Sequence, residues 1–257
     1  MKIRTMLGIG AALCATAVFG PPRADVSADE AGNVKLIGSA KDVNKLIKDD
    51  AAELQKALSD SKPKPKDRKR AQLLAVVIAL NAKALGAEGA GIQAQATKIA
   101  EALAKGDDGM ATAKKEAAKL LSAKADGAAG DAIKTLKDED GSWDRDLAMQ
   151  LFKTARAGGL GIEGKVKSWS EKAPASKEME TAAAYAQKCA VVGMILDQMS
   201  PPKDKKVSAA DWKKYADDMT AASADAMKAA KNGDGKAVAS AFSRVDRACT
   251  VCHEAAR

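Results

Sequence analysis

Ala71-Gln72-Leu73-Leu74-Ala75-Val76-Val77 can be laid on Ala186-Gln187-Lys188-Cys189-Ala190-Val191-Val192 at an offset of 115 residues, and Gly106-Asp107-Asp108-Gly109 on Asn232-Gly233-Asp234-Gly235 at an offset of 126. An insertion around Pro201 to Ala210 absorbs the difference of eleven. Alanine-rich helices imitate one another easily, so the seven-residue match is weak taken alone. The shared order of helical runs and breaks marks an internal duplication.

Outward from these segments, Ala, Lys, Leu and Met dominate and almost nothing alternates as a strand would, so the chain reads as helix. A first set of helices is predicted at about 39–60, 66–86, 91–105 and 109–124. Lys62-Pro63-Lys64-Pro65, Gly86 to Gly91 and the Gly106 turn separate them. A second set is predicted at about 143–157, 177–199, 208–231 and 235–256. Gly158-Gly159-Leu160-Gly161, Ser200-Pro201-Pro202 and the Gly233 turn lie between those. Ser208 followed by Asp211 resembles a capping box, although Asp there is a weaker match than Glu. Short turns favour antiparallel neighbours, so the expected fold is all-α: two tandem four-helix bundles, over 29–130 and 131–257.

The start of the chain reads as an export signal over residues 1–28. Lys2 and Arg4 precede an apolar run from Met6 to Phe19 that is too short to span a bilayer, and Val26-Ser27-Ala28 offers small residues for cleavage. Ala24 is a second cleavage position. Cys14 would suggest lipidation, but Leu13 before it is bulkier than a lipobox allows. The expected product is soluble and located in an oxidising compartment outside the cytoplasm. Removing Lys2, Arg4, Arg23 and Asp25 lowers the formal charge from +8 to +6. That surplus steers an acidic partner or an anionic surface toward the protein. It does not mark a nucleic-acid binder, because the lysines are scattered and no aromatic-basic module accompanies them.

The terminal helix carries the sharpest motif. Val238, Phe242, Val245, Cys249 and Cys252 recur at steps of four, three, four and three, so one apolar face runs directly into two thiols. The thiols belong to Cys249-Thr250-Val251-Cys252-His253, and His253 is the only histidine in the chain. Two cysteines at i and i+3 followed at once by an imidazole are the pattern of c-type haem attachment: thioethers hold the porphyrin and His253 serves as axial iron ligand. Two other readings compete: a Cys249–Cys252 redox disulfide, and a zinc site using Cys189, which adjacent Cys252 and His253 would constrain. Cys189 within Ala186 to Met194 reads better as a small buried hydrophobe. The first unit has Ala123, Asp126 and Gly127 where the second has Cys249, Cys252 and His253, and so lacks an attachment site. Apart from Phe19, every aromatic lies in the second unit: Trp143, Phe152, Trp169, Tyr185, Trp212, Tyr215 and Phe242.

On Cys249-Thr250-Val251-Cys252-His253-Glu254-Ala255-Ala256-Arg257 the second unit resembles class II c-type cytochromes, the cytochrome c′ and cytochrome c-556 group, over about residues 143–257. Ala256 departs from the Phe or Tyr usual there. The resemblance implies a four-helix bundle with one haem c per chain attached near the C-terminus, and a haemless N-terminal repeat of the same bundle. It implies a sixth iron ligand from the first helix, where Met149 is the candidate, or an open sixth position. Arg257 coincides with a basic residue common after the family motif and is the candidate partner of a haem propionate. Met179, Met194 and Met199 are poorer ligands, and Trp212, Tyr215 and Phe242 are expected to line the pocket.

The function expected from these readings is electron transfer in the periplasm with a redox partner protein, an acidic one by charge. The alternatives are binding of NO, CO or O2 at a five-coordinate haem, and a haemless structural or interaction protein with a C-terminal disulfide. No set of acids and bases suited to catalysis stands out, so the chain does not read as an enzyme. Helix-mediated dimerisation and peripheral membrane contact are both compatible with it.

Overall fold

Ser39 opens the first helix of the computed structural model, which describes residues 38–124, 130–137, 144–201 and 207–256. The expected export signal with Cys14, as well as Trp143 and Arg257, lies outside the described residues. The Ser39 hydroxyl accepts from the Asp42 N–H and the Asp42 carboxylate accepts from the Ser39 N–H, a reciprocal cap that starts α1 (Ala40–Ala57). Pro65 stands in the first turn of α2 (Pro65–Ala84), where its missing N–H has no partner to lose. α3 (Ala90–Ala104) and α4 (Met110–Ala117) complete the first group. The predicted helix over 109–124 ends early: after Ala117 the chain tightens to a 3-10 turn at Leu120–Ser122.

After a short α5 (Arg145–Gln150), the second group consists of α6 (Ile162–Glu171), α7 (Met179–Gln198), α8 (Ala209–Lys231) and α9 (Gly235–Ala256). The protein is thus all-α, with two groups of four helices packed as bundles, roughly residues 40–117 and 162–255. Ser208 caps α8 by accepting from the Asp211 N–H at 3.0 Å. The last turn of each group is made on one glycine in the left-handed region, Gly106 (φ 70°) and Gly233 (φ 71°).

The first helix of the second group corrects the sequence expectation. Residues 143–157 were expected to form it, but α5 is short, the chain folds back through Gly158 (φ 87°) and Gly161 (φ 75°), and α6 takes that place. The reversal is held by hydrogen bonds from the Leu160 N–H to the Leu151 carbonyl (3.1 Å) and from the Gly161 N–H to the Lys153 carbonyl (2.7 Å). A side chain at Gly159 would collide with the Gln150 and Lys153 carbonyls. α6 then buries Ile162, Val166 and Trp169, a 4–3 stripe against α9.

The repeated heptads form the spine of both groups. Ala71 to Ala82 of α2 are buried without interruption, as are Ala186 to Gly193 of α7. A helix apolar all round must be surrounded by protein. α2 packs against α1 and α3, α7 packs mainly against α8, and α2 also meets α7. Leu73, Leu74, Ile78 and Ile195 are fully buried, each worth about 1.5–3 kcal/mol by removal from water. α7 and α8 approach closely at Gly193, where a Cβ would run into Thr220 Oγ1 and lie 3.0 Å from the Ala216 carbonyl.

Polar contacts between the groups are specific. Gln187 of α7 donates to Asn81 Oδ1 of α2 at 2.8 Å in a fully buried position. Lys188 of α7 pairs with Asp50 of α1 at 2.7 Å, with side-chain exposures of 11% and 3%. Burial pushes the Asp50 carboxyl above the usual carboxylate range even with Lys188 beside it. Burial alone would pull Lys188 down, but the Asp50 carboxylate outweighs it and holds the ammonium up.

Candidate functional site

α9 is an amphipathic helix whose buried face is Val238, Ala241, Phe242, Val245, Ala248 and Cys252. It packs against α6 and α8. Phe242 anchors it, with its ring 5.4 Å from that of Trp169, which in turn meets Tyr185 edge-on at 5.8 Å. The stripe predicted from the spacing of Val238, Phe242, Val245, Cys249 and Cys252 is therefore the packed face, with Cys252 buried and Cys249 half-buried at its end.

Both thiols open onto a cavity of about 400 Å³. Its apolar walls are Met149 and Phe152 from the α5 turn, Val166 of α6, Leu196 and Met199 at the end of α7, and Trp212 and Met219 of α8. His253 and Thr250 lie on the same wall as the two cysteines, and Lys153, Glu163, Lys167 and Asp246 supply charge. Trp212 is held in place by its indole N–H, which donates to the Leu196 carbonyl at 2.8 Å. Lys167 pairs with Glu163 at 2.8 Å, one turn apart on the exposed side of α6.

The structure therefore brings Met149, Cys249, Cys252 and His253 to one cavity. Of the expected lining aromatics, Trp212 is there, Phe242 sits in the core and is not among the lining residues, and Tyr215 is half-buried outside it. Met199, ranked low as a ligand from sequence, lines the wall, as does Met219, which had not been singled out. The 4–3 spacing of Trp212, Ala216 and Met219 on one face of α8 is the signal that could have found it.

The thiols are not activated. Burial pushes Cys249 up to about 12, with Asp246 adding to the rise, and burial also raises Cys252 and Cys189. Nucleophilic cysteines show the opposite shift. All three cysteines among the described residues carry free thiols, and no cluster of three or more His, Cys, Asp and Glu suited to a metal ion occurs among those residues.

The donor set suits haem c. Two sulfurs and an imidazole stand on one wall of an apolar cavity, a thioether stands on another, and two lysines are among the lining residues. Comparisons with protein-family models, with characterised proteins and with solved structures return no match.

Proposed function

We propose that this protein is an extracytoplasmic, periplasmic c-type cytochrome that carries one covalently attached haem c and passes electrons to a partner protein. The observation that carries the reading is the joint opening of Cys249, Cys252 and the sole histidine, His253, onto an apolar cavity. Haem, when bound, supplies the one-electron chemistry. Cys249 and Cys252 would anchor it through thioethers, and His253 and Met149 are the residues that would hold its iron. Phe152, Val166, Trp212 and Met219 give the cavity apolar surface that would shield a bound haem from water. Lys153 and Lys167, which line the same cavity, are candidate partners for carboxylates of a bound haem. Arg257 keeps its proposed role as a propionate partner on the strength of the family resemblance alone.

The test is expression with a competent cytochrome maturation system, followed by denaturing electrophoresis with haem staining and mass measurement. The mature chain is expected to retain haem under denaturing conditions and to lose it in Cys249→Ala/Cys252→Ala. An intact mature product with both thiols unmodified would overturn the reading. Absorption spectra in both oxidation states then separate the axial alternatives. A methionine-to-iron charge-transfer band lost in Met149→Ala identifies the His/Met carrier, whereas a five-coordinate spectrum that shifts with CO assigns gas binding instead.

A further inference from the structure

Lysines are spread along the whole chain, but the net charge is not. Six cations and one carboxylate stand in the nine residues from Lys62 to Arg70, which supply five of the eight net positive charges. Folding divides them. Arg68 pairs with Asp107, and Arg70 pairs with Glu53 at 2.6 Å and also donates to the Gly159 carbonyl. Lys62, Lys64, Lys66 and Lys69 remain exposed, and their ammonium groups make no ion pair or hydrogen bond among the described residues. Asp60 and Asp67 adjoin them in sequence and offset part of the charge.

α2 gains nothing from these lysines. Lys64 is its N-cap and makes no side-chain capping bond, and Lys66 and Lys69 follow in the first turns. That end of a helix carries partial positive charge and is stabilised by acids, so the three ammonium groups work against it. The backbone that presents them is nevertheless fixed. Pro63 is buried, Pro65 sets the start of the helix, and Lys114 of α4 donates to the Asp60 and Ser61 carbonyls. Cations kept where they lower stability, on a backbone that needs no further ordering, mark a surface for contact.

This surface adjoins the candidate haem site. Gly158 packs so closely on the Lys66 backbone that a Cβ would meet its carbonyl oxygen. The same reversal carries exposed Arg156 and exposed Lys153, and Lys153 lines the haem cavity. A bilayer is a poorer match than a protein face, because insertion needs apolar side chains. The large exposed ones among the described residues are Leu121 and Val251, and neither lies in this segment.

We propose that Lys62, Lys64, Lys66 and Lys69 form the docking surface for an acidic face of the partner protein. The first group of helices then recognises the partner, and Arg156 and Lys153 extend the contact toward the cavity. The redox purpose of the docking rests on the cytochrome reading, whereas the docking itself does not require haem.

The test is association of the full mature chain with an immobilised acidic plant plastocyanin, alongside vesicles of phosphatidylglycerol and of phosphatidylcholine. The parent is expected to bind plastocyanin at low salt and to release it as salt rises. Lys62→Glu/Lys64→Glu/Lys66→Glu/Lys69→Glu should slow association by about tenfold or more. The same reversal at Lys41, Lys83, Lys98 and Lys124 changes the net charge equally and should slow it by only about twofold. The first variant should melt no lower than the parent, since acids at that end suit the helix dipole. Haem staining of the same samples reads the cytochrome assignment separately: lysine-dependent docking by a chain without attached haem supports the surface and removes its redox purpose. Equal slowing in the two variants, a lower melting temperature in the first, or no plastocyanin binding at low salt would each overturn the proposal. Lysine-dependent binding to phosphatidylglycerol vesicles without binding to plastocyanin would overturn it in favour of a membrane.

Discussion

Replacing Lys188 by methionine keeps the aliphatic stem and removes the ammonium, which leaves Asp50 buried with neither oxygen paired. The side-chain exposures of 11% and 3% place this pair with buried ion pairs rather than surface ones. Stranding one partner of such a pair costs about 3–5 kcal/mol. At about 2–4 °C per kcal/mol for a chain of this size, the melting temperature should fall by roughly 6–20 °C. Removing both charges in Lys188→Met/Asp50→Leu should return most of that loss, since neutral packing replaces buried pairs at little or no cost. The single variant should also acquire a pH slope. Its Asp50 has a folded-state pKa raised by burial and no longer opposed by an ammonium, so the ionised form is the penalised one. Stability is then greatest below the unfolded carboxylate pKa, declines as pH rises toward the folded value, and is flat above it. Urea unfolding of the parent, single and double variants between pH 4 and pH 8, on the order of the window set by that shift, checks all three points. A loss below about 1 kcal/mol, or a single variant no more stable in acid than at neutrality, would refute the account of Lys188 and Asp50 as a buried pair joining the two groups.

Three further outcomes are expected. Trp212→Phe removes the indole donor to Leu196; because the Met199 N–H also reaches that carbonyl at 3.0 Å, the loss in chemical unfolding should be about 1 kcal/mol. Gly193→Ala should lower stability by about 1–3 kcal/mol, because the new methyl meets Thr220 and the Ala216 backbone where α7 and α8 touch; a neutral or stabilised variant would show that the helices separate freely. Asp42 is held down to about 2 from 3.8 by Lys231 and by Ser39, so its contribution is complete above the unfolded value and disappears as pH falls through about 2. Its side chain is 41% exposed, so the slope is shallow. Asp42→Asn should flatten the acid limb of the stability profile, as measured by thermal unfolding, and should do so less at high salt.

The positions of α2, α3, α7, α8 and α9 were legible because each helix is long and bounded by proline, glycine or a capping serine. α6 was not. Gly158-Gly159-Leu160-Gly161 reads as a connection between helices at 143–157 and 177–199, and the stripe of Ile162, Val166 and Trp169 becomes recognisable only once the chain has folded back at Gly159. In the candidate site, Cys249, Cys252 and His253 are adjacent in sequence and were read directly. Met149 was chosen from a resemblance, and the cavity brings it together with the three terminal residues. Met199 had no local mark, and the 4–3 spacing that puts Met219 on the buried face of α8 is the same for a methionine facing a cavity and for one filling a core.

Helical content, the twofold order of runs and breaks, and the face of α9 that bears the thiols follow from composition and period, which are properties of neighbouring residues. The cavity that receives those thiols, the pairing of Lys188 with Asp50 and the unpartnered oxygen beside it depend on side chains more than a hundred residues apart. Periodicity states which face of a helix is buried, but it carries no information about which other helix covers that face, and only packing of the whole chain resolves that.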